Sequence, residues 1–159
     1  MPFKKPHHTS DENYITKDGD KFVILPRGLN IIWGNDSRYW KIPENGPAEL
    51  IQVSWLEVSG VVNITKAATY SVSFEVNVKA DGFGWKGTDV LVMAKIGRNG
   101  KYKFKANKLN HCQNIVIPYE RLEIRVDVPS DLHFGLYEVW SGKWKGGLEI
   151  IKAVVQPLP

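Results

Sequence analysis

From Lys21 onward the chain alternates apolar and polar positions. In "TYSVSFEVNVK", Tyr70, Val72, Phe74, Val76 and Val78 take one side, while Ser71, Ser73, Glu75, Asn77 and Lys79 take the other. A period of two marks a strand with one buried face. "RLEIRVDV" sets Leu122, Ile124, Val126 and Val128 among charged neighbours. "LHFGLYEVW" puts Leu132, Phe134, Leu136, Glu138 and Trp140 on one side, which predicts Trp140 in the core. Further strands are expected over 21–25, 29–33, 50–58, 88–96, 101–105, 113–117 and 148–155. In "IQVSWLEV" both faces are apolar, so Trp55 also reads as core. The segments "DGFG", "GRNGK", "VPSD" and "SGKWKGG" supply the turns. Only "GPAELIQV" hints at a short helix. About eight to ten short antiparallel strands without a long amphipathic helix predict an all-β sandwich or jelly roll.

The 159 residues suggest one domain. A chain of this size buries about 70% of its unfolded surface, so neither a disulfide nor a metal is needed for folding. The domain is expected over 21–159, after a polar, flexible tail over 1–20 that includes His7 and His8. One cysteine, Cys112, rules out an internal disulfide and reads as inert. The N-terminal segment lacks the apolar region of a secretory signal, and no run approaches the roughly 18 apolar residues of a membrane span. A cytoplasmic protein is expected, so the sequons "NDS" and "NIT" read as unglycosylated. The net charge of +4 is mildly basic. Lys101, Lys103, Lys105 and Lys108 form a basic cluster that reads as a solvated face, or alternatively as an RNA or protein interaction surface.

The enzyme readings find no support. His111 and Cys112 are chain neighbours whose side chains point apart, so they make no nucleophile–base pair. The histidines lack a zinc spacing, and no calcium loop or phosphate-binding motif occurs. Neither a metal nor a cofactor is expected. Six tryptophans are the conspicuous supply. Trp40, Trp85 and Trp144 sit beside turn residues in "RYWKIP", "DGFGWKG" and "SGKWKGG", and Trp33 ends an apolar strand. Between Trp33 and Trp40 lie Asn35, Asp36, Ser37, Arg38 and Tyr39, all able to hydrogen-bond. Flat rings among donors and acceptors suit a pyranose, with its apolar C–H face and hydroxyl rim. An aromatic rim that merely closes the end of the sandwich would leave the same pattern.

The blocks "LNIIWGNDSRYWK", "AELIQVSWLEVSG", "YSVSFEVNVKADGFGW" and "YEVWSGKWKGGLEIIKAVVQP" resemble, in order, the phloem protein 2 family of Nictaba-like plant lectins. The short cucurbit phloem lectins are especially similar. The resemblance runs from about Lys21 to Pro157. It implies a jelly-roll β-sandwich like a carbohydrate-binding module, often dimeric and found in the cytoplasm of phloem sieve elements and in phloem sap. It also implies binding of N-acetylglucosamine oligomers, chitin fragments and the chitobiose core of N-glycans, without catalysis or a metal. Some members associate with RNA. The family's tryptophan pair falls on Trp33 and Trp40, and its glycine–tryptophan on Gly84 and Trp85. Its acidic position falls on Glu138, and its "KWKGGL" on Trp144 and Lys145. The expected sugar-binding set is therefore Trp33, Asn35, Asp36, Arg38, Tyr39, Trp40, Trp85, Glu138, Trp144 and Lys145. Trp40 and Tyr39 are expected against a sugar ring, and Glu138 on the sugar or on Arg38.

Overall fold

The computed structural model describes residues 6–109 and 114–159. His111 and Cys112, and the first residue of the strand expected over 113–117, lie outside them. The fold is a jelly-roll β-sandwich of two antiparallel sheets. The strands are β1 (Ile15–Asp18), β2 (Lys21–Ile24), β3 (Asn30–Ile31), β4 (Trp40–Lys41), β5 (Ala48–Leu50) and β6 (Leu56–Ile64). They continue with β7 (Ala68–Phe83), β8 (Asp89–Ile96), β9 (Lys103–Lys108), β10 (Ile115–Val126), β11 (Ser130–Glu138) and β12 (Gly146–Pro157).

One sheet is built on β12, which pairs with β7 along one edge and with β2 and β5 along the other. β10 extends it beyond β7, β1 beyond β2, and β4 beyond β5. The second sheet runs β3–β6–β11–β8–β9. The alternation read from the sequence is what joins them. Tyr70, Val72, Phe74 and Val76 are buried from one sheet, and Leu132, Phe134 and Leu136 from the other. Phe74 and Phe134 meet across the core with ring centroids 6.0 Å apart. Burying such side chains gives about 1.5–3 kcal/mol each, which drives the two sheets together.

Three local expectations are corrected. Part of the supposed flexible tail is tied to the sandwich. Ile15–Asp18 pairs with β2, and His8 forms a bridge to Ile31 while its ring nitrogen Nε2 lies 3.0 Å from the Arg27 carbonyl. The His8 partners are about twenty residues away, beyond the reach of local patterning, whereas β1 and β2 form a short hairpin. The helix suggested by "GPAELIQV" is strand β5, whose backbone pairs with both β4 and β12. The strand expected over 50–58 is broken. β5 ends at Leu50, β6 begins at Leu56, and the intervening loop places Trp55 in solvent rather than in the core.

Candidate functional site

Antiparallel pairing carries four connections to one end of the sandwich: residues 32–39, 51–55, 84–88 and 139–145. All six tryptophans lie in these connections or at their borders. Four present rings to solvent: Trp33, Trp55, Trp140 and Trp144. The other two, Trp40 and Trp85, are buried.

Three rings form an ordered row, with Trp33 and Trp144 exposed and Tyr39 half-buried against the core. Tyr39 and Trp144 stack with centroids 6.4 Å apart and planes 28° apart. Trp33 meets Tyr39 edge-on at 5.7 Å. The Arg38 guanidinium lies 5.1 Å from the Tyr39 ring centroid, in range for a cation–π contact. Trp55, nearby in sequence to β6, donates Nε1–H to Glu57 Oε1 at 2.9 Å. The row is an aromatic surface at the end of the molecule.

The polar residues between Trp33 and Trp40 build the loop that carries these rings. Asp36 accepts from the Arg38 backbone N–H and holds the guanidinium in a two-pronged contact at 3.0 and 2.8 Å. That hydrogen bond first, and then the Asp36 charge, raise the Arg38 pKa. Asn35 Nδ2 donates to the His7 carbonyl. Trp33 adopts φ 64°, a left-handed backbone costing about 1–2 kcal/mol for an L-residue. It is held there by His7, whose Nδ1 accepts the Trp33 N–H at 2.9 Å and whose ring packs edge-on against the indole. Strain maintained by its surroundings is characteristic of sites where a side chain must be aimed.

The 139–145 loop is anchored from beneath. Glu138 ends β11 at an inward position, buried as its alternation predicts. Its carboxylate accepts from the Trp140 and Ser141 backbone N–H groups and from the Ser141 hydroxyl. Lys145 Nζ lies 2.9 Å from Glu138 Oε1 and also donates to the Ser54 and Lys143 carbonyls, with the side chain 0% exposed. Burial alone would raise the Glu138 pKa, but hydrogen bonds from Ser141 and Lys145, with the Lys145 charge, hold it below the usual carboxylate value.

Several expected contact residues thus sit behind the surface. Trp40 is only 2% exposed, because β4 pairs with β5 and turns the indole inward; its face is closed to a ligand. Its Nε1–H has no acceptor among the described residues. Trp85 is buried with Nε1–H donated to the Gly146 carbonyl at 2.9 Å. The preceding Gly84 has φ 87°, and a Cβ there would lie 2.7 Å from the Lys145 Cα. Gly84 and Trp85 therefore clamp the backbone of residues 144–146. Glu138 and Lys145 are sealed together, and Arg38 is oriented by Asp36 rather than by Glu138. Trp140, expected in the core, is 61% exposed because β11 stops two residues before it.

Among the described residues, no three His, Cys, Asp or Glu side chains gather as metal ligands would. No helix among them is long and apolar enough to cross a membrane.

The arrangement is a carbohydrate-binding-module-like jelly roll with an aromatic row on its end loops. The C-terminal CBM6 of LamC, a marine laminarinase from Zobellia galactanivorans, has a similar fold, with a TM-score of 0.51 at 10% identity over 86% of this chain and 98% of that one. The chain belongs to the phloem protein 2 family, whose family model matches residues 19–157. Protein PHLOEM PROTEIN 2-LIKE A9 of Arabidopsis thaliana is 41% identical over 175 aligned positions, covering 96% of this chain and 97% of the relative. A lectin of Luffa acutangula is 33% identical over 75 residues, 41% of this chain and 36% of that protein.

Proposed function

We propose that this protein is a non-catalytic lectin that binds N-acetylglucosamine oligomers, including the chitobiose core of N-glycans. The observation that carries the reading is the Tyr39–Trp144 stack, extended by Trp33 and flanked by Arg38. Membership of a family with a lectin relative agrees with it. The pyranose C–H face lies on the rings, and Arg38 donates to hydroxyl or acetamide oxygens. Burial of a ring face contributes on the order of 1–2 kcal/mol, and each hydrogen bond roughly 1 kcal/mol. A single sugar is then held weakly, and several subsites or a homodimer supply avidity. Trp40, Trp85, Glu138 and Lys145 act from behind, by fixing the loops. On this reading the protein works in the cytoplasm of phloem sieve elements and in phloem sap, in agreement with its membership of the phloem protein 2 family.

Titration calorimetry with N-acetylglucosamine and its trimer tests this. Saturable heat with the trimer is expected; none at millimolar trimer overturns the reading.

The alternative is an RNA or protein partner on the lysine-rich β9 surface. Lys103, Lys105 and Arg121 line a hollow there with Tyr102 and Phe104. Its charge is partly neutralised, since Lys105 pairs with Glu120 and Arg121 with Glu123. RNA binding through this surface would fall steeply with salt, whereas sugar binding would not.

A further inference from the structure

The 139–145 loop carries two exposed indoles, and the aromatic row uses only Trp144. No ring contact joins Trp140 to that row among the described residues. Its indole instead borders a separate hollow of about 410 Å³, together with Thr88, Asp89, Leu91, Ser141 and Lys143. Lys143 reaches from its own loop to the 84–88 loop, with Nζ 3.4 Å from the Lys86 carbonyl and 3.2 Å from Thr88 Oγ1. An ammonium has three donors, so one is left over. The Asp89 carboxylate and the Trp140 Nε1–H have no hydrogen-bond or ion-pair partner among the described residues. An apolar plate, an open acceptor and two open donors thus surround a space large enough for a ring.

We infer that this hollow is a second sugar subsite, which takes a further pyranose unit of the same oligosaccharide held on the aromatic row. The inference rests on the lectin reading above. The Trp140 indole covers the C–H face, Asp89 accepts from hydroxyls, and Lys143 with the indole N–H donates to ring substituents. The plate is preorganised, because the backbone N–H groups of Trp140 and Ser141 are fixed on the buried Glu138 carboxylate. Trp140 and Trp144 are four residues apart, so their Cα atoms are within about 14 Å, a span a short oligosaccharide can bridge. The loop itself leads from β11 in one sheet to β12 in the other, with Trp144 against Tyr39 and Trp140 beside the hollow.

The test is the dependence of affinity on oligomer length, measured by calorimetry with the N-acetylglucosamine dimer and pentamer. For the unaltered protein the pentamer is expected to bind on the order of tenfold or more tightly than the dimer, as a linked second contact requires. Trp140→Ala and Asp89→Asn are each expected to bring that ratio close to one. Trp144→Ala is expected to weaken both oligomers. Retention of the full length dependence by both Trp140→Ala and Asp89→Asn, with wild-type thermal melts, overturns the second subsite while leaving the lectin reading intact. Absence of binding at either length in the unaltered protein overturns both.

Discussion

Glu138 and Lys145 bracket the loop that carries Trp140 and Trp144, and they meet at 2.9 Å with both side chains withdrawn from solvent. Removing one partner strands the other as a buried charge, which costs about 3–5 kcal/mol. Lys145→Met is therefore expected to lower stability by about that much in urea unfolding. The double replacement Glu138→Leu/Lys145→Met removes both charges and is expected to recover most of the stability. It does not restore the acceptor for the Trp140 and Ser141 N–H groups, so trisaccharide affinity is expected to stay low. Full recovery of affinity in the double variant would show that the pair does not position the loop.

The same carboxylate makes the protein acid-sensitive in a defined direction. The Glu138 pKa is lower in the folded protein than the roughly 4.3 of an unfolded glutamate. Its contribution is thus complete above the unfolded value and is lost as pH falls through the folded one. Urea midpoints are expected to fall below about pH 4 as this carboxylate is protonated. Glu138→Gln should flatten that part of the fall while lowering stability at neutral pH. An unchanged acid slope in the variant would assign the sensitivity to other carboxylates.

Trp40 is packed between its neighbours with an orphan indole N–H. Trp40→Ala is expected to cost about 3–5 kcal/mol through lost packing and a cavity. Trp40→Phe keeps a ring, removes the unpaired donor and is expected to cost less than about 1.5 kcal/mol, with trisaccharide binding retained. Loss of binding in a well-folded Trp40→Phe would place the indole at the ligand after all.

Gly84 approaches the 144–145 backbone where no side chain fits, at φ 87°. Gly84→Ala adds left-handed strain of about 1–2 kcal/mol and pushes Trp144 away from Tyr39. Lower melting temperature together with weaker trisaccharide binding is expected. A melt shift with unchanged affinity would show that the Tyr39–Trp144 stack tolerates the displacement.

The sandwich was legible because its long strands repeat a strict alternation. β7 and β11 each supply several consecutive inward positions, and a period of two needs that many to be read. The end loops were less legible for the same reason. β4 has two residues, Trp40 and Lys41, too few to show which way Trp40 points. The tryptophan pair spaced by seven was recognisable, but exposure falls on Trp33 and burial on Trp40. Trp55 and Trp140 were misplaced because alternation says nothing of where a strand stops, and both lie just beyond an end. The inward parity of Glu138 held a usable signal, since a carboxylate on a core-facing row calls for buried donors or a cation to pair with it. That partner, Lys145, reaches it across a turn and is supported by Ser54 from another loop.

Holding the 139–145 loop by Glu138, Ser141 and Lys145 also separates what must be kept from what can change. The anchoring contacts use backbone N–H groups, one hydroxyl and two sealed charges, and none depends on which side chains stand at 140 and 144. Rings at those positions can be exchanged, enlarged or removed with little consequence for folding, because they contribute almost nothing to the core. Under the proposed lectin reading, such a loop can change its ligand preference while the scaffold stays the same, which makes these two positions the places to graft a new specificity.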